Sequence, residues 1–535
     1  MHPLIRTLLI FGLLIAGGFA AFLLIDGPSS GTCTPVTGIA ADAPGDPTTV
    51  SVSRSAAVWP CADRAVVADA DDVLSLALGA SLADAAGVPF LASSPTTSPL
   101  AVAELDRLGV GRVFVIGGPE IADPFRIDEA WDPSDPDQLA DLERHLSELT
   151  DGAEPFLVPT DPVGVVAAAR AAIAADAPLS TSAGRAAPSD PAIDPGAPLW
   201  VTTSDRETVA LASLTAADAS GAVVLLVDAG DPRRSLEARA AARDGGQVAL
   251  LGDLDDTQRW QARTLFTASE LPGGGLLMFE PARRLVALYG NPNTDDLGVL
   301  GEQGPKGWAE TATRLEGVLP GYDADGIPVL PSFEIIATVA AAGPGDDGNY
   351  SAEMAVDALT GWVDYAAAQG MYVVLDLQPG RSDFLTQAQR YESLLRLPHV
   401  GLALDPEWRL GPDQVHLEQV GSVSAAEINT VVDWLAGLVR DEGLPQKLLL
   451  LHQFRFGMIS ERETLHTPPE LAMVIQMDGQ GPLDAKYLTW DAMTEGTESA
   501  GWRWGWKNFF DEDSPMATPS EVLALDPTVW FVSFQ

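Results

Sequence analysis

Hydrophobic positions in the C-terminal half of the chain fall into short, unbroken runs at 285–289, 333–340, 372–378, 400–407, 448–454, 472–478, 502–509 and 528–534. Stretches with helical spacing, such as 352–369 and 425–441, lie between them. Short β-branched and leucine-rich runs mark strands buried on both faces, and strands alternating with helices imply a parallel, helix-covered sheet. Eight such runs predict a (β/α)8 barrel over 280–535, with the last strand closing against the first.

Ahead of the barrel the strands are shorter. Residues 66–68, 88–92 and 113–116 read as strands, and 71–86 and 99–108 as helices, giving β-α-β-α-β closed by Gly117-Gly118. The layout recurs 134 residues later without a gap: strands at 200–202, 223–227 and 248–251, helices at 205–220 and 235–242, and a stop at Gly252. Two copies of one unit predict a shared parallel sheet with Gly117 and Gly252 at equivalent strand ends. One more strand and helix fit 156–158 and 165–175, and 178–198, rich in Ala, Pro, Ser and Asp, reads as a disordered loop. The fold class is therefore α/β, with a parallel α/β domain over 63–275 ahead of the barrel.

Pro89-Phe-Leu-Ala92 followed by Leu105-Asp-Arg-Leu-Gly109-Val-Gly-Arg-Val-Phe-Val-Ile-Gly-Gly118 resembles the cell wall-binding repeat 2 family. The likeness covers 65–118 and, loosely, 200–252, where Gly252-Asp253 stands in place of the double glycine. The resemblance implies small α/β units on an exported protein of Gram-positive bacteria, each holding an anionic wall polymer. In this chain arginines such as Arg107 and Arg112 would have to line that contact. A plain doubly wound domain without a wall ligand is the alternative.

Four predicted barrel strands end in paired polar residues: Asp376 with Gln378, Asp405 with Glu407, His452 with Gln453, and Gln476 with Asp478. Side chains two apart share a strand face, and a barrel aims the C-terminal ends of its strands at one mouth. Lys507 ends the seventh strand, and Trp408, Trp502, Trp504 and Trp506 fall near the same mouth. Carboxylates flanked by indoles suit a glycan, since two acids can serve as proton donor and as base or nucleophile. Glu407 is the expected acid, raised by burial beside Trp408 and by Asp405, with Asp405 or Asp376 as its partner. Gln378, Trp408, His452, Gln453, Gln476, Asp478, Trp506 and Lys507 are expected to hold substrate. The barrel resembles glycoside hydrolase-like TIM barrels in general, but it lacks the Asp-x-x-Asp-x-Asp-x-Glu chitinase signature and keeps only its tail in 402–407. His452 and His466 have no partners at zinc-site spacing, and neither a Gly-x-Ser-x-Gly elbow nor a phosphate loop occurs, so no metal and no cofactor are expected; the alternative is a metal held by Asp376, Asp405 and His452 together.

Charge and the N-terminus set the location. The formal charge of −44, from 75 acidic and 31 basic side chains, argues against nucleic acid as a partner. Residues 8–25 carry no charge, follow Arg6 and precede Asp26, which predicts a single-pass signal anchor over 1–26 with the bulk of the chain extracellular. A cleaved signal peptide ending at Ala20 is the rival. Residues 27–62 read as a flexible spacer. Cys33 and Cys61 fit either a disulfide or two separate thiols. The functional expectation is a membrane-anchored envelope protein whose barrel binds, and hydrolyses, a cell-wall or other extracellular polysaccharide. The alternative is a non-catalytic wall-binding or scaffold protein.

Overall fold

The computed structural model describes residues 33–39, 41–94, 98–119, 121, 124–188, 193–243, 245–495 and 501–535. The uncharged run 8–25 lies outside the described residues. Among them, no helix is long and apolar enough to cross a membrane.

The first repeat forms β1 (Arg64–Asp69), β2 (Phe90–Ser93) and β3 (Arg112–Ile116), joined by an unanticipated β4 (Arg126–Trp131), in the parallel order β2-β1-β3-β4. The second forms β5 (Leu199–Thr203), β6 (Val223–Val227) and β7 (Val248–Leu250), in the parallel order β6-β5-β7. Each copy therefore puts its first strand in the centre, but the copies stand in two sheets, which corrects the expectation of one. They meet through helices instead: Thr215 Oγ1 donates to Ala80 O at 3.1 Å, and apolar residues of both copies share one core. The repeat also contains a one-residue insertion. Val66 pairs with Phe90 and Trp200 with Val224, both 24 positions apart, whereas Ala65 to Val113 is 48 and Leu199 to Val248 is 49. With that insertion Gly117 and Gly252 fall at equivalent places, each with a positive φ (79° and 82°).

Two loop expectations give way to ordered structure. Within the stretch read as a spacer, Pro47–Val58 is a helix capped by Asp46 and started by Pro47, with Val50, Arg54 and Val58 buried. Its Arg54 guanidinium lies 4.6 Å from the centroid of the Trp200 ring, and Ala43 bridges to Leu251. Cys33 and Cys61 are disulfide-bonded, tying this segment to the domain. In the stretch read as disordered, Leu179–Ser180 pairs with Phe156–Leu157, and Arg185 stacks 4.0 Å over Phe156.

The C-terminal half closes into a barrel of eight parallel strands: β8 (Arg284–Gly290), β9 (Val329–Ala340), β10 (Tyr372–Leu377), β11 (Val400–Leu404), β12 (Lys447–His452), β13 (Leu471–Met477), β14 (Arg503–Asn508) and β15 (Val529–Phe534). Closure comes from β8, which pairs with both β9 and β15. Alternation sorts the side chains into two layers. Val286, Leu288, Phe333, Leu375, Leu402 and Trp506 face the surrounding helices, and Leu285, Leu330, Tyr372, Val374, Leu448, Val474 and Phe531 fill the lumen. Above this apolar plug, toward the C-terminal ends of the strands, the lumen becomes ionisable.

Candidate active site

The lumen positions at the mouth are Tyr289, Glu334, Asp376, Asp405, His452, Gln476, Asp478, Lys507 and Ser533, all buried. They converge on the His452 ring. Its Nδ1 sits 2.9 Å from Asp478 Oδ2, and its Nε2 lies 2.9 Å from Glu334 Oε1 and 3.7 Å from Asp376 Oδ1. The Glu334 contact is an ion-pair approach without the alignment of a hydrogen bond, so both Glu334 oxygens lack a hydrogen-bond partner among the described residues. Tyr289 OH donates to Asp376 Oδ2 at 2.9 Å and accepts from Gln378 Nε2 at 3.3 Å, which puts Asp376 and Gln378 on one side as expected. Lys507 Nζ stands 3.4 Å from the Tyr289 ring centroid. Gln476 Nε2 donates to Ser533 Oγ at 2.6 Å.

Asp405 and Glu407 do not share a strand face. β11 stops at Leu404, and Pro406–Trp408 forms a 3-10 turn, because proline has no N–H for the ladder and suits the first position of a helical turn. Asp405 caps that turn, its Oδ1 accepting from Glu407 N at 3.2 Å. Glu407 thereby rises out of the lumen and is half-buried. Gly421 holds the turn from behind: its N–H donates to Glu407 O at 2.7 Å, and a Cβ there would meet the Glu407, Arg409 and Pro406 carbonyl oxygens at 2.4, 2.5 and 2.7 Å.

Protonation follows from this enclosure. Burial pushes the Glu407 carboxyl up to about 7, helped by the nearby Asp478 charge and opposed by Lys507 and His452. Burial leads as expected, and Asp478 is the acid that adds to it; the Asp405–Glu407 repulsion raises Asp405, and Trp408 meets His416 edge-on at 5.4 Å. Asp376 is raised to about 6 by burial, with His452 pulling it down and Glu334 pushing it up. Asp405 is raised well above the carboxylate range, first by burial and then by Asp376 and Asp478 against the pull of His452. Burial alone would lower His452, but Asp376, Asp478 and Glu334 overcome it and hold the ring well above its usual value.

Of the residues expected to hold substrate, several have other partners. Trp506 is fully buried on the helix side, 5.9 Å from the Trp490 ring, because its neighbour Lys507 takes the lumen side. Gln453 likewise turns away from the lumen, accepting from Arg462 Nη1 at 3.0 Å and donating to Arg455 O at 3.1 Å. Gln378 is engaged at both ends, its Oε1 accepting from Ala340 N at 2.9 Å. Three lumen residues escaped the sequence reading, Glu334, Tyr289 and Ser533. The signal for Glu334 was a lone acid inside the apolar run Phe333-Glu334-Ile335-Ile336. Among the described residues no group of three or more His, Cys, Asp or Glu side chains is arranged to hold a metal ion.

Chemically, the mouth offers one carboxyl that protonates near neutrality, four enclosed carboxyls, and two basic groups that offset part of their charge. No family model matches this chain, and no curated protein does. Among solved structures it is similar to Cwp6 from Clostridium difficile, at 11% identity and a TM-score of 0.36, over 67% of this chain and 65% of that one. The chain thus spans less than two thirds of that protein's length.

Proposed function

We propose that the barrel binds a glycan across its C-terminal mouth and hydrolyses it, with Glu407 as the proton donor and a lumen carboxylate as its partner. In this reading residues 8–25 anchor the protein to the cell membrane, and the repeat domain holds wall polymer, so the barrel works on envelope polysaccharide. The observation that carries it is Glu407. A carboxyl held at about 7 on the rim of a barrel mouth, with further carboxyls in the lumen beside it, is the arrangement a general acid needs at neutral pH. The developing positive charge on the sugar ring would face the carboxylates, and Lys507 and His452 limit their mutual repulsion. The full-length protein should release reducing ends from purified Gram-positive sacculi or fluorophore from 4-methylumbelliferyl glycosides, and Glu407→Gln should lower that turnover by roughly 100-fold or more. Wild-type protein inert on both probes would refute the hydrolase.

One observation favours the non-catalytic alternative: Glu334, Asp376 and His452 are 0% exposed, so the lumen cluster could serve packing alone. Binding to sacculi without cleavage is its expected result.

A further inference from the structure

Glu334 and Asp478 approach opposite nitrogens of one buried imidazole. Both contacts are 2.9 Å, and the three side chains are 0%, 0% and 5% exposed. An imidazole with a carboxylate on each side is drawn to both, and through Nδ1 the ring fixes the direction of Asp478. We propose that Asp478 is the carboxylate that works opposite Glu407, and that Glu334 and His452 are positioning residues that fix its direction. The proposal rests on the hydrolytic reading above and names the partner that reading leaves open.

Two features separate Asp478 from the other candidates, its exposure and its place at the end of β13. Asp405 spends Oδ1 on capping the Glu407 turn, and Asp376 accepts the Tyr289 hydroxyl. Asp478 is the most open of the four lumen acids, at 7% against 0% for Glu334, 0% for Asp376 and 3% for Asp405. Its Oδ1 has no hydrogen-bond partner among the described residues, as is also true of Asp376 Oδ1, while Oδ2 is occupied by His452. One oxygen is thus held, and the other is buried without a partner. Asp478 also lies one residue beyond the end of β13, at the mouth rather than deep in the lumen.

The step balances without any further reagent than water. The bond between the anomeric carbon and the glycosidic oxygen breaks, and its electron pair leaves with that oxygen, which takes the proton of Glu407. Water adds its oxygen to the anomeric carbon and gives its proton to Asp478. That proton returns to Glu407 through solvent before the next turnover.

The test uses the full-length chain, sacculi and 4-methylumbelliferyl glycosides, and variants D478N and E334Q. D478N should lower kcat by roughly 100-fold or more. E334Q keeps shape and loses charge; it should lower kcat by about tenfold with KM little changed, and in histidine-labelled NMR spectra the His452 ring should lose its proton at a lower pH than in the wild type. If D478N does not fold, D478E, which keeps the charge and moves it, takes its place with the same expected loss. Wild-type turnover in the Asp478 variant, or a His452 titration unmoved by E334Q, overturns the proposal. A wild type that cleaves neither probe sinks the hydrolase reading itself, whereas an active wild type with an active Asp478 variant sinks only the assignment of Asp478.

Discussion

Replacing Glu407 by glutamine removes an ionisation that the fold opposes. In the unfolded chain this carboxyl titrates near 4.5, and in the native barrel near 7, because burial and Asp478 both disfavour its charge. A folded value above the unfolded one means that the native state holds the extra proton between the two. The stabilisation is complete below 4.5 and is lost as pH rises through 7. At about 1.4 kcal/mol per pH unit, the shift from 4.5 to about 7 amounts to roughly 3 kcal/mol. Glutamine keeps the shape and never ionises. Glu407→Gln should therefore match the wild type in stability at pH 4.5 and exceed it by roughly 3 kcal/mol at pH 8. The measurement is urea unfolding of both proteins at the two pH values, following the tryptophan emission of the barrel and comparing midpoints at a common slope. An equal difference between the proteins at both pH values would mean that Glu407 is solvated like an ordinary surface acid, and the case for it as a proton donor would fall. Stability gained where activity is lost is the expected mark of a site residue.

The Cys33–Cys61 bridge spans 28 residues, and its reduction should destabilise the repeat domain by roughly 3 kcal/mol, read by calorimetry with and without reductant. Lys447, buried and pushed down to about 7 by desolvation, donates to Leu397 O and Val400 O. Its folded value lies below the unfolded one, so stability should rise from pH 7 to 10 in the wild type, and that part of the rise should vanish in Lys447→Met. Trp506→Phe should lower Tm through lost packing against Trp490 and leave KM for any cleaved glycan unchanged, as saturation kinetics would show.

The barrel was legible because its strands are continuous apolar runs, and Asp376, Asp405, His452 and Asp478 were legible because each interrupts such a run at its end. Glu334 was hidden by the opposite circumstance: an acid in mid-strand reads as an accident until the register shows it in the same lumen layer as His452. Tyr289 was hidden because a tyrosine ending an apolar strand looks like core. Trp506 and Gln453 were misplaced by one residue of alternation, since their neighbours Lys507 and His452 take the lumen side. Period-2 reasoning tells which residues share a face but not which face is inside; only closure of the barrel decides that. The helix Pro47–Val58 was missed because its small and polar residues carry little hydrophobic periodicity, and its stability comes from the Asp46 cap and from docking of Val50 and Arg54.

The lumen also explains why the acid is carried by a turn and its neighbours by strands. A carboxyl at a strand position of this layer is sealed from solvent, as Glu334 and Asp376 are, and could meet substrate only after the lumen opened. Ending β11 at Leu404 and inserting Pro406 lifts the next acid by one turn while Asp405 stays below as its cap. Glu407 is then close enough to feel Asp478, Lys507 and His452 and open enough to exchange its proton. The apolar plug of Leu285, Leu330, Val374, Leu450, Val474 and Phe531 supplies burial energy beneath a layer whose like charges oppose folding. Proline, the capping aspartate and Gly421 therefore belong to the proposed site as much as the carboxyl they position.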